Sequence, residues 1–318
     1  MIRIGAVYVL AGLVFGAYAV LSALDRNNPK RFGNAAFWGL VAASFLAGDR
    51  LGDLGNGWLV VGLAAIAGFG LLGRGQPATT SAKEREGLAA RFGDRLFIPA
   101  LTLPLVVIFG VLVLKPMSLG GTPILDPKQA TLLSLALAAV IATAVGVILL
   151  RQPWISPLQE GRRLIDTVGW AALLPQMLSA LGAVFVLAGV GKVVGDLVTA
   201  WIPIDSRGAA VAVYCLGMAG FTLIMGNAFA AFPVMTAGVA IPILIHRFGG
   251  NPAAVCSLGM LAGFSGTLLT PLAANFNLVP PALLELPDRY AVIKAQAPTA
   301  LLMLIVNMVL MYVLAFPR

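Results

Sequence analysis

Two apolar stretches in the second half of the chain are interrupted by small and polar residues that could hold a ligand. The first interruption is the run 225–233, MGNAFAAFP, and the second extends from Gly263 to Asn277. Neither interruption contains a charged residue. Inside a bilayer, irregular backbone persists only where it is buried in protein or lines a polar cavity. We therefore predict that the two interruptions form a binding site.

The chemistry of this predicted site depends on neutral groups. Hydroxyl and carbonyl oxygens suit Na⁺, whereas amide donors and the ends of broken helices suit a carboxylate. Glycines at both interruptions would let the backbone approach a ligand closely. The predicted substrate- and ion-binding residues are Gly226, Asn227, Ser265, Gly266, Thr267, Thr270, Asn275, Asn277 and, in an earlier apolar stretch, Gln176.

Each of these residues also has a structural interpretation. Gly, Ser and Thr let membrane helices pack closely, and a single Asn often joins two helices. For Gln176 the alternative to substrate contact is a hydrogen bond to a neighbouring helix. The interrupted stretches offer no carboxylate that could carry a proton, which favours Na⁺ over H⁺ as the coupling ion unless a partner chain supplies the acid.

Composition places the elements that carry these residues in a membrane. Of the 318 residues, 59% are hydrophobic and 11% are charged, whereas about a quarter of a soluble domain is charged. The 21 Lys and Arg are spread over the loops, so the net charge of +8 indicates topology signals and not a nucleic-acid surface. We predict an all-α integral membrane protein with about 8–10 transmembrane segments.

Two of those segments have special forms. The stretch 208–247 is uncharged between its ends and too long for one span, which predicts a helical hairpin with its tip at Gly226 and Asn227; whether it re-enters or crosses the membrane stays open. The stretch 252–283 is predicted to be a discontinuous helix. We therefore divide the chain into a membrane-spanning scaffold, 1–165, and a transport-site half with broken helices, 166–318.

Loop charges predict the topology. Apolar runs at 4–24, 35–47, 58–72, 97–114 and 130–150 are the predicted spans of the scaffold, with a turn-rich link at 48–57 between the second and third. Lys and Arg alternate between many and few in successive loops, as the positive-inside rule requires. The N-terminus is predicted outside and the loop 74–95 in the cytoplasm. Further along, Lys192, Asp196 and Trp201 predict a short helix at the membrane interface.

The interruptions also resemble a known family. The runs 225–233, 263–267 and 270–277, together with 174–178 and 181–185, are similar to a bacterial membrane family, formerly of unknown function, named as the larger subunit of a two-component 5-oxoproline (pyroglutamate) transporter. This resemblance implies a location in the bacterial cytoplasmic (inner) membrane, with a periplasmic N-terminus when combined with the loop charges. It also implies a smaller partner membrane subunit encoded nearby.

More distantly, a hairpin followed by an unwound helix is similar to one half of the ion-transporter superfamily, which includes Na⁺-coupled dicarboxylate and citrate carriers. This similarity implies Na⁺ at Asn227, Ser265 and Thr267, although the Ser-Asn-Thr motif of that superfamily is only partly kept. The scaffold half does not repeat the broken segments. If a carrier needs two inverted halves, the partner subunit must supply the second.

The function expected from these observations is ion-coupled import (symport) of 5-oxoproline or a similar small carboxylate by alternating access. A different carboxylate and a structural or assembly subunit that never touches substrate are the alternatives. An enzyme is disfavoured because the apolar core has no Ser/His/Asp, Cys/His or His/Glu constellation. No cofactor is expected apart from Na⁺ as the coupling ion.

Overall fold

The computed structural model of the chain describes residues 1–73, 75, 81–201, 204–284 and 286–316. Within these residues the protein is all-α apart from one short two-stranded hairpin, which confirms the predicted fold class. Residues 74 and 76–80 of the predicted loop 74–95 lie outside the described residues. The chain divides into two compact units, Met1–Gly169 and Trp170–Arg318; the boundary predicted from the sequence lies four residues earlier, at 165/166.

Long apolar helices dominate the described residues. Eight helical segments there have the length and composition to cross a membrane: Ile4–Leu24, Arg31–Gly68, Lys83–Leu114, Ala130–Leu150, Ser156–Leu187, Arg207–Met225, Ala228–Arg247 and Ala291–Leu314. Many large apolar side chains on these helices are exposed, as expected where lipid replaces water. The protein is therefore a multi-pass membrane protein, in agreement with the predicted 8–10 segments.

The first unit contains six α-helices: α1 Ile4–Leu24, α2 Arg31–Gly68, α3 Ala82–Phe92, α4 Phe97–Phe109, α5 Ala130–Leu150 and α6 Ser156–Val168. A 3₁₀ turn, Gly93–Leu96, precedes α4, and a π-helical turn, Gly110–Leu114, extends it. Strands β1 Ser118–Leu119 and β2 Thr122–Pro123 pair antiparallel. Helix α3 begins with a capping box between Ser81 and Glu84, and α1 packs along α2.

Helix α2 is a hairpin in its own right. Gly52 has a φ of 61°, and the Asn56 side chain donates to the carbonyls of Gly48 and Gly52, both at 2.9 Å. The start of α2 lies beside its end, because Asn34 Nδ2 donates to the Gly73 carbonyl at 2.6 Å. The arms 31–51 and 53–68 are therefore the predicted second and third spans. The predicted link 48–57 is wrong in extent, because one glycine reverses the chain.

Contacts at the two ends of the first unit follow the predicted alternation of loops. At one end the loop after α1, the residues after α2 and helix α6 meet, as the Asp25–Arg162 and Asn34–Gly73 contacts show. At the other end the Ile2 N–H donates to the Ile124 carbonyl at 2.7 Å. The N-terminus and the segment 118–126 thus share one end, as predicted. Which side of the membrane each end faces stays a prediction.

A buried polar cluster holds the first of these ends together. Arg162 Nη2 lies 3.0 Å from Asp25 Oδ2, with 4% and 5% of the two side chains exposed, and Arg162 Nη1 donates to the Leu21 carbonyl. Trp38 Nε1 donates to Asp166 Oδ1 at 2.8 Å. A buried charge that loses its partner is strongly destabilising. This cluster therefore fixes α1, α2 and α6 to one another.

The second unit contains α7 Leu174–Leu187, α8 Val190–Trp201, α9 Arg207–Met225, α10 Ala228–Met235, α11 Pro252–Thr267, α12 Ala274–Asn277, α13 Val279–Leu283 and α14 Ala291–Leu314. A 3₁₀ turn, Gly169–Leu173, precedes α7, and a π-helix, Thr236–Arg247, continues α10. Helices α9, α11 and α14 pack on one another. Their buried core includes Tyr214, Met218, Val239, Leu244 and Met311.

Replacing Arg162 tests the buried cluster. We expect Arg162→Met to lower the free energy of unfolding by about 3–5 kcal/mol, because it leaves Asp25 without this partner in a buried position. Arg163→Met is the matched control, because Arg163 pairs with Glu160 at 2.8 Å on a partly exposed surface, where an ion pair contributes about 0–1 kcal/mol. Thermal unfolding of the purified protein in detergent measures both. Equal effects of the two substitutions would contradict a structural role for the Arg162 cluster.

Candidate functional site

The first interruption is the tip of a helical hairpin, as predicted. Helix α9 ends at Gly226, which has a φ of 74°, and α10 begins directly after Asn227. Asn227 caps α10, because its Oδ1 accepts a hydrogen bond from the Phe229 N–H at 2.7 Å. The two arms, Arg207–Met225 and Ala228–Arg247, contact each other. Each arm is long enough to cross a membrane, so both a crossing and a re-entrant hairpin remain open.

The second interruption is shorter than predicted. Helix α11 continues through Gly263, Ser265 and Gly266 to Thr267, and only the segment 268–273 departs from helical structure before α12. The Thr267 hydroxyl donates back to the Gly263 carbonyl at 3.4 Å, and the Ser265 hydroxyl donates back to Leu261 at 3.4 Å. The Gly263 carbonyl therefore accepts a hydrogen bond within its own helix.

The two interruptions meet each other. The Thr270 hydroxyl donates to the Leu223 carbonyl in the last turn of α9 at 2.9 Å. A Cβ placed on Gly226 would lie 2.6 Å from the Leu272 carbonyl oxygen. The rings of Phe229 and Phe264 pack edge to face with their centroids 5.9 Å apart. The hairpin tip and the break after α11 therefore form one junction, which we call the break junction: residues 222–229 and 263–277.

Both predicted glycines serve close backbone packing. A Cβ on Gly226 would collide with the backbone of Leu272, and a Cβ on Gly266 with the backbone of Ala219 on α9. Gly259 and Gly263 lie on the same side of α11, against Tyr214 and Met218. The approach that these glycines permit is between parts of the chain, which corrects the expectation that Gly226 and Gly266 leave room for a ligand.

Asn277 ties the second break together. It is fully buried, and its Nδ2 donates to the carbonyls of Thr267 at 2.8 Å and Thr270 at 2.6 Å. Its Oδ1 accepts from Gln296 Nε2 on α14 at 2.6 Å, and the same Gln296 nitrogen donates to the Leu268 carbonyl at 2.9 Å. Carbonyls that the end of α11 leaves open are thus satisfied by side-chain amides.

Other polar groups at the break junction have no partner among the described residues. Asn227 is 5% exposed, and its Nδ2 makes no hydrogen bond there. The Thr222 hydroxyl, on α9 one turn before Gly226, is fully buried and has none either. Buried polar atoms are normally paired. Asn227 Nδ2 and the Thr222 hydroxyl are therefore two unpaired polar groups that a ligand at the junction could contact.

The remaining predicted residues are less buried. Asn275 on α12 is partly buried and Gln176 on α7 is exposed, and within the described chain neither side chain makes a hydrogen bond. Helix α7 contacts α10 and α12, and a Cβ on Gly182 of α7 would meet the Ala230 backbone at 3.1 Å. Gln176 thus belongs to a helix that borders the junction, but its side chain contacts no polar partner among the described residues.

Sequence reasoning missed two residues, one in the junction and one that contacts it. Gln296 is an amide inside a mostly apolar span, which is the same signal that singled out Gln176. Thr222 lies four residues before Gly226, so helical spacing alone puts it in the turn beside the break. A lone Thr in a membrane helix is common, however, and only the structure distinguishes it by its unpaired hydroxyl.

The electrostatics of the break junction come from helix ends. The ends of α9 and α11 bring partial negative charge, and the beginnings of α10 and α12 bring partial positive charge. The residues 222–229 and 263–277 contain no ionisable side chain. Such a meeting of opposite helix ends can hold a small cation and an anion side by side without a formal protein charge.

Fold and junction together define an all-α multi-pass membrane protein with a hairpin and a discontinuous helix that meet. The chain matches a family model over residues 5–316, and that family is described as "Protein of unknown function (DUF979)". The protein belongs to this family. Searches of curated proteins and of solved structures found no match.

Replacing Gly226 tests the close contact at the hairpin tip. We expect Gly226→Ala to destabilise the protein by on the order of 1–3 kcal/mol through its positive φ alone, with the clash against Leu272 in addition. Gly220→Ala is the matched control, because Gly220 lies in the same helix with open space around it and Ala favours helix. Thermal unfolding in detergent measures both. A Gly226→Ala protein as stable as the wild type would contradict the contact.

Replacing Asn277 tests the hydrogen bonds of the second break. Asn277→Ala should cost more than about 2 kcal/mol, because it leaves the Thr267 and Thr270 carbonyls buried without this donor. Asn275→Ala, two residues away and without hydrogen bonds among the described residues, should change the free energy of unfolding by less than about 0.5 kcal/mol. Chemical denaturation in detergent compares them, and a larger effect of Asn275→Ala would overturn the assignment.

Proposed function

We propose that this chain is one subunit of a secondary carrier that imports 5-oxoproline or a similar small carboxylate across the bacterial cytoplasmic membrane. The observation that carries the proposal is the meeting of the hairpin tip and the broken helix through Thr270 and Leu223. In many secondary transporters the substrate site lies near the membrane midplane, where discontinuous helices meet. The runs that resemble the 5-oxoproline transporter family include residues from both parts of this junction.

The substrate fits the available groups in chemical terms. 5-Oxoproline carries one carboxylate and one lactam, so it needs donors for the carboxylate and neutral partners for the lactam. The unpaired Asn227 Nδ2, the beginning of α10 and the Thr222 hydroxyl offer such groups. Na⁺ as the coupling ion would draw on the carbonyl and hydroxyl oxygens around Ser265 and Thr267. This proposal needs no enzymatic chemistry and no cofactor beyond the ion.

A partner membrane subunit is part of the proposal. The described part of the second unit contains the hairpin of α9 and α10 followed by α11, which ends at Thr267 and is succeeded by the short helices α12 and α13. Carriers with broken helices usually combine two such halves around one substrate site. We therefore propose a hetero-oligomer with a smaller neighbouring membrane subunit, oriented with the N-terminus of this chain in the periplasm.

Uptake measurements test the carrier. Cells that lack other routes should accumulate labelled 5-oxoproline when this chain and its genomic neighbour membrane protein are expressed together, and not with either alone. Replacing Na⁺ by choline at constant pH reports the coupling ion. No uptake under any combination, with both proteins present in the membrane, would remove the substrate assignment. The same assay with other labelled carboxylates tests the alternative that the substrate differs.

A substitution at Asn227 separates ligand contact from structure. Asn227→Ser keeps a side-chain oxygen that caps α10 but removes the unpaired Nδ2 donor. A hydrogen bond to a charged carboxylate contributes about 1.5–3 kcal/mol, so KM should rise by roughly tenfold to a hundredfold while the melting temperature changes little.

The matched control is Asn251→Ser. Asn251 caps α11 in the same way, accepting from the N–H groups of Ala253 at 3.0 Å and Ala254 at 3.2 Å, but it lies at the opposite end of that helix from the break junction. Its replacement should leave KM unchanged. If Asn227→Ser transports like the wild type in an assembled complex, the chain would instead be a structural or assembly subunit.

A further inference from the structure

A cavity of about 460 Å³ lies in the second unit, between α8 and the second arm of the hairpin. Its lining includes Lys192, Asp196 and Thr199 of α8 and Pro233, Gly238 and Pro242 of the arm. It is distinct from the break junction, because the arm runs from the hairpin tip at Asn227 to Arg247 and Gly238 lies near its middle.

Helix α8 crosses this arm in very close contact. A Cβ on Gly191 would meet the Val234 carbonyl oxygen at 3.0 Å, and a Cβ on Gly195 would collide with the Gly238 backbone. Small residues at this spacing let two membrane helices approach closely. The crossing lies near the middle of an arm of membrane-spanning length, and the exposed side chains of Lys192 and Asp196 flank it.

The arm is irregular where it lines the cavity. Pro233 and Pro242 lie inside it, and from Thr236 it runs as a π-helix. Each proline removes a backbone N–H, and π-helical turns inside longer helices are frequent at functional sites. Irregular backbone at membrane depth is tolerated where it lines a cavity. The irregular arm thus faces the charged side of α8 across a cavity whose lining is otherwise mostly apolar.

Lys192 is exceptional among the cations of the second unit. Arg207 stacks on Phe316, Arg247 on Phe248 and Arg289 on Tyr290. Lys294 pairs with Asp288 at 2.7 Å. Within the described part of the unit, Lys192 is the one Lys or Arg without an aromatic or acidic partner, and it faces the cavity. Ionisable residues at membrane depth usually mark a substrate or ion pathway.

We infer that this cavity is a second binding site on the path of the transported compound, apart from the break junction, with Lys192 holding its carboxylate and Asp196 accepting a hydrogen bond from an adjacent N–H group. The two side chains are four residues apart on one helix, which places them side by side with their Cβ atoms about 5–6 Å apart. 5-Oxoproline presents a carboxylate next to a lactam N–H, and α-amino acids present a carboxylate next to an ammonium group. This inference rests on the proposed function.

The test uses the purified complex of this chain with its partner in proteoliposomes. We expect Lys192→Gln to raise the KM for 5-oxoproline by about tenfold or more, since a charge-assisted hydrogen bond is lost, and Lys192→Arg to restore part of the loss. Lys294→Gln removes the exposed lysine of the Lys294–Asp288 pair and should leave KM unchanged. Equal KM values for wild type, Lys192→Gln and Lys294→Gln would overturn the inference.

Ligand analogues assign the two side chains separately. Cyclopentanecarboxylate lacks the N–H group, so its inhibition constant against 5-oxoproline uptake should not change in Asp196→Asn. 2-Pyrrolidinone lacks the carboxylate, so its inhibition constant should not change in Lys192→Gln. L-Proline tests the amino-acid class, because Asp196→Asn should weaken an ammonium ligand more than a lactam. Losses that do not follow this pattern would contradict the assignment of roles.

Direct binding separates this inference from the proposed function. If wild-type complex takes up no 5-oxoproline, the proposed function fails. A rise in melting temperature of the purified wild-type complex with 5-oxoproline, cyclopentanecarboxylate or L-proline that is smaller in Lys192→Gln but kept in Lys294→Gln would still support a carboxylate site at the cavity. No shift with any of these compounds would overturn the site as well.

Discussion

Backbone groups that a broken membrane helix exposes must find partners inside the protein, and the second unit is organised around this constraint. At the break junction the partners are side-chain amides and hydroxyls: Asn227 caps α10, Thr270 reaches Leu223, and Asn277 with Gln296 satisfies the end of α11. The junction can therefore exist without charge, and the helix ends that converge there supply the electrostatics. The junction is therefore polar without being charged.

In the first unit, different contacts satisfy the backbone groups that a helix break exposes. Its hairpin at Gly52 leaves carbonyls that Asn56 satisfies, and its loop end is closed by the buried Arg162–Asp25 pair and the Trp38–Asp166 bond. Charged groups are used for structure here, at the end of the helices, whereas the second unit keeps charge away from the junction.

Uninterrupted apolar runs could be predicted from the sequence because length and hydropathy alone define them. Helices α1 and α5 begin and end where their apolar runs do. The turn at Gly52 was not located, because several glycines surround it and only the Asn56 contacts select one. The sequence predicts that Gly263 and Gly266 belong to a break, but with Gly259 they follow helical spacing and form the packing side of α11. Spacing of small residues therefore distinguishes a packed helix from a broken one, whereas partners such as Gln296 and the unpaired Thr222 hydroxyl depend on tertiary contacts.

The central claim is that the break junction binds the transported carboxylate. Hydrogen–deuterium exchange of the purified two-subunit complex with and without 5-oxoproline tests it most directly, without any substitution. The account predicts slower exchange in peptides covering 219–233 and 264–277, with the scaffold peptides of α1 and α5 unchanged. Unchanged exchange at both segments, under conditions where binding is shown independently, would contradict it.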